Sequence, residues 1–175
     1  MKKNRILSIV VIAASVIFLV VNLYRDMSSK RLKVGQKIPE FMVLNEKLNK
    51  QVSSSSFEGK VLFINFWATW CFPCRTEMPS INKLYINFSG NKNFKLLIVP
   101  FREVPKKSIE YFRQNGFSFP LFVDVDKSMT KKFGVTGVPE TYIFSKRGIL
   151  KKVKIGPENW NSAENFNLIE SLLKE

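Results

Sequence analysis

"NFWATWCFPCRTEMP", residues 65–79, holds both cysteines of the chain, Cys71 and Cys74, two residues apart. The apolar run "VLFINFW" at 61–67 leads into it, and from Cys74 the apolar positions Met78, Ile81, Tyr85 and Phe88 fall at helical spacing. An unbroken apolar run is the pattern of a central strand covered on both faces. The stretch therefore predicts a buried strand, a short loop, and a helix that begins at the two thiols. A helix start offers unpaired N–H groups and partial positive charge, and both stabilise a thiolate. In C-x-x-C motifs the thiol pKa falls to roughly 3.5–7.5, from about 8.5 for a free cysteine. Cys71 is then the nucleophile. Cys74, one turn in, is placed to attack a mixed disulfide on Cys71 and release the partner. Pro73 removes a backbone donor and stiffens the turn, and Phe72 adds bulk beside the nucleophile.

Two other roles for the pair remain open at this point. A purely stabilising disulfide would close a loop too small to remove much chain entropy. A metal-binding pair would need companions, because structural zinc takes four Cys or His ligands, and the chain has no histidine. That absence also excludes Ser–His and Cys–His nucleophile pairs and histidine proton shuttles.

Outward from the motif, strands and helices alternate. "FKLLIVP" (94–100) is a second buried strand. Pro105 opens a helix that runs to Asn115 and closes at Gly116. "FPLFVD" (119–124) predicts a short strand and "DKSMTKKFG" (126–134) a short helix ending at Gly134. "ETYIF" (140–144) and "ILKKVKI" (149–155), joined through Lys146–Gly148, predict an antiparallel hairpin. Ala163, Phe166, Ile169 and Leu173 mark a last amphipathic helix, and "SSSS" at 53–56 a loop or helix start. The order βαβ, αβ, α, hairpin, helix implies an α/β fold, a mixed sheet with helices on both faces.

Ahead of this lies a charge-free segment, Ile6 to Tyr24. As a helix it would span about 30 Å, the hydrocarbon thickness of a bilayer. It exceeds the roughly 7–15 apolar residues of a signal peptide, and no small-residue cleavage pattern follows it. The expected organisation is a cytoplasmic tail and transmembrane anchor at 1–27, a polar, basic linker at 28–36, and one domain at 37–175. Basic residues flank the segment on both sides, so charge alone decides little about orientation. The short N-terminal tail favours the domain outside. Lys and Arg number 28 against 14 Asp and Glu, a net charge of +14. The lysines are scattered in pairs, with no basic helix interleaved with aromatics. That implies a solvated Lys-rich surface, with attraction to anionic lipid as the alternative, and no nucleic-acid partner.

W-C-x-P-C at 70–74, followed by Arg75, Glu77 and Pro79, together with "GVTGVPETYIF" at 134–144, resembles the thioredoxin superfamily. Within it, the chain is most similar in these motifs to the membrane-anchored TlpA/ResA/CcmG (DsbE) group of thiol–disulfide oxidoreductases, over about residues 37–173. The resemblance implies a thioredoxin-like mixed sheet flanked by helices, with an extra helix and strand after the second core strand. It implies a redox disulfide between an exposed nucleophile, Cys71, and a resolving Cys74, with no other cofactor and no metal. Pro139 would be a cis-proline facing the dithiol. Val138 would cover the disulfide and offer backbone groups to an extended client, and Trp70, Phe72, Pro73 and Glu140 would border that client. Trp67 is expected in the core. Thioredoxins carry a buried Asp where this chain has Asn65. Asn cannot act as a base, which leaves Glu77 to serve Cys74. Each acid has a plainer alternative: Glu77 as an exposed first-turn residue favourable to the helix dipole, Glu140 as strand-start surface.

The function implied is reduction of disulfides outside the cytoplasm, with the domain facing the periplasm or extracytoplasmic side of the cytoplasmic (inner) membrane on a single-pass anchor. Implied substrates are apocytochrome c, in cytochrome c-type biogenesis, or a copper-site assembly protein. The implied electron source is a membrane donor of the DsbD/CcdA type. Three alternatives stay beside it. A copper-delivery module of the same fold would use a wider cysteine spacing and a histidine. A peroxidase would need a proline seven positions before its cysteine, where this chain has Ile64. A general disulfide oxidase or isomerase would use the same dithiol at a different potential.

Overall fold

The computed structural model describes residues 11–23, 31–47 and 49–175. They form two compact units, divided after Arg31. In the first, residues 11–23 are helical (α1), and Val11, Ile12, Val16, Ile17, Phe18, Leu19, Val20, Val21 and Leu23 are all exposed. Its polar side chains turn back onto the helix: Ser15 Oγ donates to the Val11 carbonyl at 2.9 Å and Asn22 Nδ2 to that of Phe18 at 2.8 Å. Among the described residues no helix is long and apolar enough to cross a membrane. Residues 11–23 rise only about 20 Å as helix. The rest of the expected segment, 6–10 and 24, lies outside the described residues, as do most of the expected tail and the first part of the linker.

The second unit is built on β3 (Val61–Trp67), every residue of which is buried. It pairs in parallel with β4 (Phe94–Pro100), from Val61 opposite Phe94 to Trp67 opposite Pro100. On its other side it pairs antiparallel with β6 (Glu140–Phe144), which continues into β7 (Leu150–Ile155), giving the order β4-β3-β6-β7. The parallel step is bridged by α2 (Phe72–Phe88). α3 (Pro105–Asn115) ends at Gly116 and α4 (Ser128–Phe133) at Gly134. Both glycines adopt the left-handed conformation that closes a helix without a Cβ penalty. α5 (Ala163–Lys174) is capped by Ser162, whose side chain accepts from Asn165 N.

The expected single sheet is in fact two. Residues Met42–Asn45 (β1) and Lys50–Ser53 (β2) form an antiparallel hairpin absent from the sequence reading. The strand expected at 119–124 shrinks to Phe122–Val123 (β5), which joins β1 and touches the main sheet through one bridge, Ile98 to Leu121. The serines at 54–56 begin a 3-10 turn capped by Ser53. From Leu32 onward the chain is tied to the domain: Leu32 N donates to Phe133 O, Gly35 N to Leu150 O and Ile38 N to Gly148 O.

Strand alternation divides the core. Leu62, Ile64 and Phe66 face Phe41, Phe57, Met129 and Phe133. Val61, Phe63 and Trp67 face α2 and α5, meeting Met78, Ile81, Leu84, Trp160 and Ile169. The buried stripe of α2 runs through Leu84 rather than Tyr85, which is half-buried. Asn65 lies on the same face as Phe63 and Trp67, so the one polar side chain of β3 points toward α2.

Candidate active site

β3 ends at Trp67, and four residues later Cys71 is the N-cap of α2. The strand thus delivers the first thiol to the helix start. Cys71 and Cys74 are joined by a disulfide, S–S 2.07 Å, and the Cys74 N–H points at Cys71 Sγ from 3.1 Å. Phe72 and Pro73 occupy the first helical positions, where a missing N–H costs nothing. Cys74 is fully buried and Cys71 is 5% exposed. The nucleophile is therefore less exposed than expected, because the cis Val138–Pro139 loop lies over it. The Val138 carbonyl oxygen is 3.6 Å from Cys71 Sγ. Val138 also packs against both halves of the core, which fixes the loop in place. Residues 67 positions apart in sequence thus meet at one sulfur.

The expected first-turn surface acid is a different object. Glu77 is 3% exposed and is held by three donors: Asn65 Nδ2 to Oε1 at 2.9 Å, Glu158 N to Oε2 at 3.1 Å and Trp160 Nε1 to Oε2 at 3.3 Å. It sits three positions beyond Cys74, on the same helix face. Burial pushes its carboxyl up to about 7, and the bonds from Asn65, Glu158 N and Trp160 pull the other way. A group near pKa 7 can take and return a proton at neutral pH. Asn65 also donates to Thr141 Oγ1 at 2.9 Å, linking α2, β3 and β6.

Glu140 takes neither of its expected places. It is 1% exposed beneath the cis-proline loop, and Tyr142 Oη donates to its Oε2 at 2.7 Å. It is not strand-start surface. Trp67 is buried as expected, stacked on Phe112 at 5.0 Å. Trp70 and Phe72 stand exposed beside Cys71.

Two parts of the site left no usable mark in the sequence. The loop 157–160 supplies two of the three donors to Glu77, yet "PENW" has no periodicity and no spacing that ties it to the dithiol. Glu103 accepts from Thr69 N at 3.1 and 3.3 Å, from Thr69 Oγ1, and from Ser108 Oγ at 2.6 Å. It thereby pins the loop before Cys71 to the start of α3. In sequence it is only one acid ahead of a proline. Among the described residues no cluster of His, Cys, Asp and Glu could hold a metal ion.

A fully buried Cys74, a Cys71 that keeps a small exposed edge at the helix start, and a cis-proline loop over it suit dithiol–disulfide exchange. Residues 34–153 match the AhpC/TSA family. The chain belongs to that family. Within it the chain is similar to thiol–disulfide oxidoreductases. It is 31% identical over 161 residues to ResA of Bacillus cereus, covering 88% of this chain and 90% of that protein. It is 35% identical over 124 residues to ResA of Geobacillus thermodenitrificans, covering 70% of each. The fold is shared with a thioredoxin-family thiol:disulfide interchange protein of Chlorobium tepidum, TM-score 0.68 at 23% identity over 81% of this chain and 98% of that one. StoA of Bacillus subtilis matches at TM-score 0.62 and 22% identity, over 80% of this chain and 100% of that one. The protein is a thiol–disulfide oxidoreductase of the ResA type, with its C-x-x-C pair at Cys71 and Cys74.

Proposed function

We propose that the protein is a membrane-tethered reductant of protein disulfides on the extracytoplasmic face of the cytoplasmic membrane. Its clients are apocytochrome c haem-site cysteines or a copper-site assembly protein, and a membrane donor of the DsbD/CcdA type returns it to the dithiol form. The observation that carries this reading is the asymmetry of the pair: Cys71 at the surface edge of the helix start, Cys74 buried with Glu77 one turn behind. In the reducing direction the Cys71 thiolate attacks one client sulfur and the other leaves as a thiolate. Cys74 gives up its proton, with Glu77 as the acceptor, and attacks Cys71 Sγ. The client leaves as a dithiol, two electrons richer, and the Cys71–Cys74 disulfide remains.

The tether is supported by α1, apolar around its whole circumference, with its polar side chains bonded back into the helix. The compartment is supported by chemistry: thiols awaiting haem or copper oxidise outside the cytoplasm and need a local reductant.

Replacing the resolving thiol tests the reading in cells. Cys74→Ser should accumulate mixed disulfides through Cys71, cleavable by dithiothreitol, in the membrane fraction, and Cys71→Ser should accumulate none. Adducts with an apocytochrome c or a copper-site protein are the expected result. Adducts with cytoplasmic proteins, or a broad set of secreted proteins, would overturn the assignment.

A further inference from the structure

The ground around Cys71 is apolar and cationic. Trp70, Phe72 and Val104 are 59%, 67% and 63% exposed. Trp70 and Phe72 flank the nucleophile in sequence. Val104 reaches it through the sheet. β3 and β4 run parallel with Trp67 opposite Pro100, so the chains leaving them, 68–71 and 101–104, travel side by side. Phe101 N donates to the Trp67 carbonyl at 2.7 Å, and the Glu103 carboxylate clamps Thr69. Arg102 and Val104 are therefore held next to the loop that carries Trp70.

Four cations share this ground. Arg75 follows Cys71 by one helical turn, with its guanidinium 5.7 Å from the Phe72 ring centroid. Arg102 lies over the Phe101 ring at 4.9 Å. Lys106 and Lys107 open α3. All four are exposed, and none makes an ion pair among the described residues. Of the acids around the dithiol, Glu77 and Glu140 are buried, Glu103 is engaged by Thr69 and Ser108, and Glu158, beside Glu77, pairs with Lys154. On the far side of the sulfur, the loop ahead of Pro139 presents Thr136 and Gly137, which carry no charge.

We infer that this surface selects extended client segments whose reactive cysteine is flanked by acidic residues together with an apolar side chain. The inference rests on Cys71 being the thiol that attacks clients. An extended segment crossing Cys71 lays its neighbouring side chains on Trp70, Phe72 and Val104 and brings their charges toward Arg75, Arg102, Lys106 and Lys107. Unpaired cations around a reactive centre raise the encounter rate with acidic partners and lower it with basic ones.

Two symmetric peptide disulfides test this, alike in length and in one apolar residue beside the cysteine, with the remaining flanking positions Glu in one and Lys in the other. The reduced full chain in nonionic detergent attacks either peptide: one sulfur forms the mixed disulfide, the other leaves as thiolate, and Cys74 then releases the second peptide. At low ionic strength the Glu peptide should react about tenfold faster. The ratio should fall toward one at about 0.5 M salt. Arg102→Glu with Lys106→Glu should erase or invert it. A ratio cancels any change in the reactivity of Cys71 itself. Equal rates at low salt, or a ratio unmoved by charge reversal, would overturn the inference while leaving the reductase reading intact. The uncharged 2-hydroxyethyl disulfide separates the two: no reaction with it would overturn the role of Cys71 as attacking thiol, and this inference with it.

Discussion

At Glu77 a carboxyl is buried among three donors, and burial still holds its pKa near 7. Both the chemistry and the stability of the domain feel this. On the proposed route Cys74 passes its proton to Glu77, whose carboxylate form grows as pH rises through about 7. Resolution of a mixed disulfide on Cys71 should therefore quicken as pH rises through 7. Glu77→Gln should slow it roughly a hundredfold near neutrality and flatten that rise, while the first attack by Cys71 stays near normal. Quenched-flow analysis of a pre-formed adduct separates the two steps. The stability effect has a definite sign. The folded state keeps the Glu77 proton to about pH 7, whereas the unfolded chain loses it near the ordinary value of 4.5. Between those values the folded state binds more protons, so stability falls as pH rises, by on the order of 3 kcal/mol. Glu77→Gln should remove that fall in denaturant midpoints measured from pH 4 to 8. Glu77 was legible as a candidate from its place after the motif. Its burial was not, because Trp160 and the Glu158 amide come from a loop about 80 positions away, with no pattern linking them.

Among the elements, those that carry the dithiol were the easiest to read. β3 is an apolar run broken only by Asn65, α2 carries Pro73 in its first turn, and α3 and α4 stop at glycines, so each is marked by its own residues. β1 and β2 were not legible: "MVLN" and "KQVS" are four-residue strands with polar or exposed positions, and β5, expected at 119–124, keeps only two of those residues. Such strands exist because of what they pair with. The same holds for the start of α4. Its N-cap position, Lys127, is in the left-handed conformation and provides no side-chain cap. Asp124 caps it from a distance instead, Oδ1 accepting from Met129 N at 3.1 Å and Oδ2 from Thr130 N at 2.7 Å. Asp124→Ala should cost about 1–2 kcal/mol in urea unfolding, with little change in exchange kinetics, since α4 lies against the face of the sheet away from α2. A loss of activity larger than the loss of stability would show that α4 communicates with the dithiol.

For the whole molecule, the sheet brings together two segments that chemistry needs at one point: the end of β3, which delivers Cys71, and the start of β6, which delivers Val138 and Pro139. The motif residues announced this meeting, and parallel and antiparallel pairing on the two sides of β3 produces it. The division of labour between the thiols follows from the same arrangement. Cys71 is the N-cap of α2 and 5% exposed, and Cys74 is fully buried in the core cluster that β3 and α2 share. The most direct measurement is the rate of iodoacetamide alkylation against pH for the reduced full chain carrying either Cys71 or Cys74 alone, the other replaced by serine. Cys71 should alkylate along a titration centred below the free-thiol value of about 8.5, and at neutral pH at least tenfold faster than Cys74, whose curve should lie at higher pH. Equal rates with coincident titrations would contradict the account, because the helix start and the burial of Cys74 would then have failed to distinguish the two sulfurs.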